Sequence, residues 1–174
     1  MQQRWKVSTE DEFIAWYDAT VRAASGYAAR LCGADRAKAE DLVQDAYLSL
    51  LRRARSGVLT DASVGLITAT IRNRFLDGVR SSKSEQRRLR LVSVTDVTDV
   101  GDVADRDVSD SGDVADPTAS LSARDRAALV LRYVDGMSVG EVATEMGISV
   151  HATESLLTRA KARARAQSGG RRHG

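Results

Sequence analysis

A single cysteine, Cys32, in a chain of 174 residues excludes an internal disulfide and suits a reducing compartment. The two histidines, His151 and His173, are too few and too far from that thiol in sequence for a zinc site built from protein ligands alone. Aromatic residues make up only 5% of the chain and hydrophobic residues 43%, which allows modest cores but not a large one. No run of 18 apolar residues is present and no apolar run follows a basic start, so neither a membrane span nor a secretory leader is expected, and the expected location is the cytoplasm. No glycine-rich phosphate loop occurs, because the doublet Gly169-Gly170 lies near the end of the chain rather than between a strand and a helix. No Ser/His/Asp or Cys/His set is evident either. Nothing positive therefore supports an enzyme, a cofactor or a metal site.

What is present is concentrated near the C-terminus. Ser138 can cap a helix with Glu141 three residues on, which is a capping box. Val142, Ala143 and Met146 form an apolar stripe, and Gly147 supplies the left-handed residue that ends the helix. Ile148 fills the turn and Ser149 can cap a second helix, whose Leu156, Leu157 and Ala160 turn inward. His151, Glu154, Ser155, Thr158 and Arg159 are left on the outer side. This is the pattern of a helix-turn-helix, whose second helix enters the DNA major groove. Arg159 suits guanine or phosphate, Ser155 and Thr158 suit phosphate or a base, and Glu154 can accept a hydrogen bond from cytosine. His151 suits the groove edge or a phosphate. An ordinary helical hairpin is the plainer alternative.

The net charge of +2 conceals segregation. Residues 1–90 carry 16 Lys/Arg against 11 Asp/Glu, residues 91–118 one Arg against eight Asp, and residues 119–174 nine Lys/Arg against five Asp/Glu. Two basic blocks, suited to phosphate backbones, thus flank an acidic connector. In the connector Asp96, Asp99, Asp102 and Asp105 recur at every third residue, with the only proline, Pro117, near its end. Neither helical nor strand periodicity survives there, and a flexible acidic linker is expected.

Helical periodicity predicts three N-terminal helices. The first covers residues 10–31, capped by Thr9 and Glu12, with Phe13, Tyr17, Val21, Ala24, Ala28 and Leu31 inward. The second covers about Ala37–Arg55, with Leu42, Val43, Ala46, Leu50 and Ala54 inward. After a loop at 56–61 the third covers about Ala62–Arg80, with Val64, Ile67, Ile71, Phe75 and Val79 inward, and residues 81–90 continue it as a basic, polar stretch. A further helix from about Leu121 carries Ala127, Val130, Leu131 and Val134 before Asp135-Gly136 ends it. The expected fold is all-α: a helical domain at 1–90, an acidic linker at 91–118, a helix-turn-helix domain at 119–166 and a disordered tail at 167–174.

Two outer stripes stand apart from these cores. Asp41, Gln44, Asp45 and Leu48 share one side of the second helix, next to Leu42, and suit a helix of a protein partner. A solvated acidic face near a helix start, favoured by the dipole, has the same composition. On the third helix Asn73, Asp77 and Arg80 form a stripe flanked by Arg72 and Arg74, residue types that reach bases and phosphates. A solvated basic helix, with Asp77 paired to Arg80 or Arg74, would look the same.

Taken in order, Ala39-Glu-Asp-Leu-Val-Gln-Asp-Ala-Tyr47, Arg72-Asn-Arg-Phe-Leu-Asp-Gly-Val-Arg80, a variable linker, and Leu121-Ser-Ala-Arg-Asp-Arg-Ala-Ala-Leu-Val-Leu-Arg-Tyr133 with its helix-turn-helix strongly resemble a bacterial RNA polymerase sigma factor of the extracytoplasmic-function (ECF) type. The resemblance covers about residues 10–90 and 119–166. It implies a non-enzymatic factor that binds core RNA polymerase and directs promoter-specific initiation. Asp41, Leu42, Gln44, Asp45 and Leu48 would meet the clamp helices of the largest polymerase subunit. Arg72, Asn73, Arg74, Asp77 and Arg80 would melt the minus-10 element and hold its unpaired strand, and the loop at about Arg55–Ser63 would capture a flipped base. His151, Glu154, Ser155, Thr158 and Arg159 would read the minus-35 element. The second domain would also meet the flap of the second-largest subunit, and the resemblance leaves room for an anti-sigma factor. Leu66-Ile67 stands where the family usually has Trp-Leu. Glu154 and Leu156 stand where basic residues are common, so the minus-35 preference is expected to differ from the commonest one. The alternative is a stand-alone helix-turn-helix regulator that binds duplex operators.

Overall fold

The computed structural model describes residues 3–92 and 121–169. In chain order the elements are β1 (Arg4–Lys6), α1 (Glu10–Cys32), α2 (Arg36–Arg55), β2 (Asp61–Ser63), α3 (Val64–Val92), α4 (Ala123–Tyr133), α5 (Val139–Met146) and α6 (Val150–Gly169). The chain divides into two compact units, Met1–Phe75 and Leu76–Gly174. Of the expected connector, residues 93–118 lie outside the described residues, as do residues 170–174 of the expected tail.

Local chemistry sets the ends of the first helices. At α1 the Glu12 N–H donates to Thr9 Oγ1 at 3.3 Å while Glu12 Oε2 accepts from the Thr9 N–H at 3.1 Å, the expected capping box. At α2 the Asp35 carboxylate accepts from the Lys38 N–H at 2.9 Å. The stretch after the loop departs from expectation. Asp61–Ser63 is not loop and helix start but a strand, paired antiparallel with β1 in the register Arg4↔Ser63, Trp5↔Ala62, Lys6↔Asp61. Three residues are too few for an alternating pattern to announce itself.

The core of the first unit is built from Trp16 and Leu31 of α1, Leu50 of α2, and Ile67 and Ile71 of α3, all fully buried. Burying a side chain of this size is worth about 1.5–3 kcal/mol. Trp16 meets Phe13 and Tyr47 edge-on, with ring centroids 5.2 and 5.3 Å apart. The buried stripe of α1 passes through Trp16, Thr20 and Tyr27, whereas Tyr17, expected inside, is 40% exposed and Val21 is half-buried. Phe13-Ile14 and Trp16-Tyr17 are adjacent large pairs, and a helix can turn only one of each pair inward. Thr20 tolerates burial because its hydroxyl donates to Trp16 O at 2.7 Å and lies 2.8 Å from the Tyr47 hydroxyl. Burial of Tyr47 holds its phenol above its ordinary range.

In the second unit Ser122 caps α4 by accepting from the Asp125 N–H at 3.1 Å. The Asp125 side chain is buried at 1% exposure and pairs with Arg163 of α6, tying the two helices together. Leu131, Ala127 and Val142 fill the space among α4, α5 and α6 with Leu156 and Ala160. Val134 was expected inside but is 47% exposed, because α4 ends at Tyr133 and the chain turns away. The turn is fixed by Arg132, whose guanidinium donates to Met137 O at 2.7 Å. Helix α6 runs through Gly169, past the expected start of the tail at Gln167.

Candidate nucleic-acid and partner interfaces

The helix-turn-helix follows from its punctuation. Ser138 Oγ accepts from the Glu141 N–H at 3.2 Å and Glu141 Oε2 accepts from the Ser138 N–H at 2.7 Å. These bonds hold the Glu141 carboxyl below its ordinary range. Gly147 ends α5 at φ 64° and ψ 41°, a left-handed conformation that costs other residues about 1–2 kcal/mol. Its N–H donates to Thr144 O, and that of Ile148 to Ala143 O at 3.1 Å. Ser149 Oγ then accepts from the Ala152 N–H at 3.2 Å as α6 begins. With Thr153, Leu156, Leu157 and Ala160 buried, α6 has one orientation left to it.

That orientation leaves His151, Glu154, Ser155, Thr158 and Arg159 exposed, and the five line one open hollow of about 410 Å³. The Thr158 hydroxyl donates to Glu154 O at 2.9 Å, so toward an outside group it is an acceptor. The Arg159 Nε leans on Ser155 O at 3.4 Å, leaving its terminal nitrogens to project. The face therefore offers a guanidinium fork, two hydroxyls, an imidazole and one carboxylate. That mixture suits base edges and phosphates together.

On α2 the residues Asp41, Gln44, Asp45 and Leu48 are all exposed, Leu48 at 49%, and Leu42 is half-buried beside them. The stripe is not wholly acidic solvent surface. Asp45 Oδ2 lies 3.5 Å from Arg74 Nη1 of α3, so one of its carboxylates is shared with the next helix. Sequence reasoning missed that the apolar part continues onto α1. The Tyr17 ring packs on Tyr47 at 4.7 Å, Ile14 is 50% exposed one turn away, and Glu10 meets Arg55 at 3.8 Å. The signal was available in the Phe13-Ile14 and Trp16-Tyr17 pairs.

On α3 Asn73, Asp77 and Arg80 are exposed, while Arg72 and Arg74 are half-buried. Asp77 pairs with Arg80 at 2.7 Å rather than with Arg74. The five residues thus stay on one helix but do not form a single free basic face, since Arg74 and Arg80 each hold a carboxylate. The expected loop is shortened to Ser56–Thr60. Gly57 takes φ 73°, the N–H groups of Val58 and Leu59 both donate to Arg53 O, and Val58 stands 69% exposed while Leu59 is buried. Among the described residues no cluster of side chains could hold a metal ion, and no helix is long and apolar enough to cross a membrane.

Residues 16–85 match the family described as Sigma-70 region 2, and residues 118–163 match Sigma-70, region 4. Among solved structures the chain is similar to the sigma factor RpoE from Bartonella quintana, crystallised with the anti-sigma factor NepR. The two are 23% identical, with 94% of this chain and all of that one covered, at a TM-score of 0.52. A second match, to a chain of the RsbN–BldN complex, has 20% identity over 90% of this chain and 91% of that one, at a TM-score of 0.34. No curated protein sequence matches the chain.

Proposed function

This chain belongs to the sigma-70 family, and from that premise we propose that it is a sigma factor of the ECF type and how its residues engage core RNA polymerase and promoter DNA. It is a promoter-specificity factor that acts within the polymerase holoenzyme. The observation that carries this is the order of the two matches, region 2 and then region 4, over 16–85 and 118–163.

In our reading the first 90 residues form the domain that docks on polymerase and opens the minus-10 element. Asp41, Gln44, Asp45 and Leu48, with Leu42 beneath them, dock on the clamp helices of the largest subunit. Exposed leucine framed by carboxylates suits a helix pair that carries apolar residues among basic ones. Arg72, Asn73, Arg74, Asp77 and Arg80 hold the unpaired strand, and the Ser56–Thr60 loop takes a flipped base. Flipping costs a few kcal/mol that these contacts offset. Residues 119–166 anchor the minus-35 element through His151, Glu154, Ser155, Thr158 and Arg159, and meet the flap of the second-largest subunit. The acidic stretch 91–118 joins the two. The protein catalyses no covalent step itself and works in the cytoplasm, where an anti-sigma factor can hold it.

Run-off transcription with purified core polymerase on genomic fragments tests this. The full chain should give discrete transcript starts, and Leu48→Asp should abolish them together with core binding. Tight, specific binding to duplex DNA without polymerase, and no transcript with it, would point instead to a stand-alone regulator.

A further inference from the structure

Strand β1 precedes residue 16, where the region 2 match begins, so nothing in the family assignment accounts for it. Its sequence is Arg4-Trp5-Lys6. Strand alternation turns Arg4 and Lys6 to one face and Trp5 to the other, where it pairs with buried Ala62. Lys6 is held in place, with Nζ 3.2 Å from Asp61 Oδ1, while Arg4 is exposed opposite Ser63. Asp61, which also accepts from the Thr60 hydroxyl at 3.1 Å, sits below its ordinary carboxyl range chiefly because of the Lys6 bond. The Val7 N–H donates to Thr60 O at 3.0 Å, so β1 is fastened directly to the end of the Ser56–Thr60 loop. Arg52, Arg53 and Arg55, all exposed, close α2 just before that loop. Cations thus flank the loop on both chain sides, and among the described residues Glu10 pairs with Arg55 and Asp61 with Lys6.

We propose that β1 is an additional nucleic-acid contact, in which Arg4 and Lys6 neutralise phosphates of the single promoter strand next to the base held by the Ser56–Thr60 loop. This rests on the reading of that loop given above. A two-stranded ribbon is a suitable carrier, since its register fixes both cations relative to the loop while their long stems follow a flexible backbone. Phosphate contacts of this kind strengthen binding without choosing a sequence. They release counterions, so each steepens the salt dependence of a single-strand complex by about 0.7 in a log–log plot.

The test uses the holoenzyme and a fluorescent promoter fragment with a pre-opened minus-10 bubble, titrated over a range of salt. Arg4→Gln/Lys6→Gln should bind several-fold more weakly on every minus-10 sequence tried, with the slope reduced by about 0.7–1.4. Lys6→Arg should keep the wild-type slope, as should Arg30→Gln, a cation in the last turn of α1. Core affinity and helical content should not change. An unchanged slope in the double variant overturns the proposal. So does a loss confined to core affinity, which would make the strand a protein contact. If the wild-type chain forms no holoenzyme, the sigma reading itself fails and this proposal falls with it.

Discussion

Tyr47 illustrates how much one side chain settles. Its ring meets both Trp16 and Tyr17 edge-on, and its hydroxyl lies 2.8 Å from that of buried Thr20. Tyr47→Phe keeps the ring and deletes the hydrogen bond, so the thermal stability of the first unit should fall by about 0.5–1.5 kcal/mol. Because burial raises the phenol's pKa from its ordinary 10.0, its share of stability is complete below pH 10 and is lost as pH rises through the folded value. Denaturant melts across that range should show wild type losing stability that Tyr47→Phe does not. Arg159 acts outward instead. If its free nitrogens fork onto a guanine, Arg159→Ala should cost about 1–3 kcal/mol on the minus-35 element and relax the sequence preference there. Equal loss on all DNA, measured by competition binding, would assign it to a phosphate.

Among the elements, α5 is the one most dependent on its ends. Spanning only Val139–Met146, it is too short to persist alone and relies on its cap, its turn and its buried stripe. Ser138→Ala should destabilise it by about 1 kcal/mol, read as faster hydrogen exchange along α5. Glu141, whose carboxyl is held below its usual 4.5, strengthens the helix start above that value. The gain disappears as pH falls through the lowered value, and Glu141→Gln should remove this acid dependence. These two caps, the left-handed Gly147 and the outward face of α6 were all legible in the sequence, because each is a local rule acting within a few residues. Helices α1 to α3 were legible by period. The strand pair was not, since it joins residues 4–6 to 61–63, and nothing in either triplet signals the other. The Asp45–Arg74 pair and the pairing of buried Asp125 with half-exposed Arg163 were hidden for the same reason. Trp16, Thr20 and Tyr27 were left out of the predicted core because the predicted stripe of α1 ran through Tyr17 and Val21 instead, and the polar hydroxyl of Thr20 gave no sign that burial would accept it once its hydrogen bonds were met.

For the molecule as a whole, the segregation of charge matters more than the net +2. An acidic connector between basic blocks leaves each block attractive to phosphate. The contact between Asp45 and Arg74 gives this arrangement a thermodynamic consequence. One partner lies in the stripe proposed to meet polymerase and the other in the segment proposed to hold DNA. A polymerase cation that recruits Asp45 releases Arg74 for a phosphate, and by reciprocity a strand that recruits Arg74 releases Asp45 for polymerase. An exposed pair 3.5 Å apart contributes roughly 0.2–1 kcal/mol, so the two affinities should reinforce one another by no more than about five-fold. Measuring core affinity with and without a minus-10 single strand, in wild type and in Asp45→Asn, would check it, since the reinforcement should vanish in the variant. A weak surface ion pair would then act as a logical AND, favouring the state in which enzyme and promoter are bound together over either one alone.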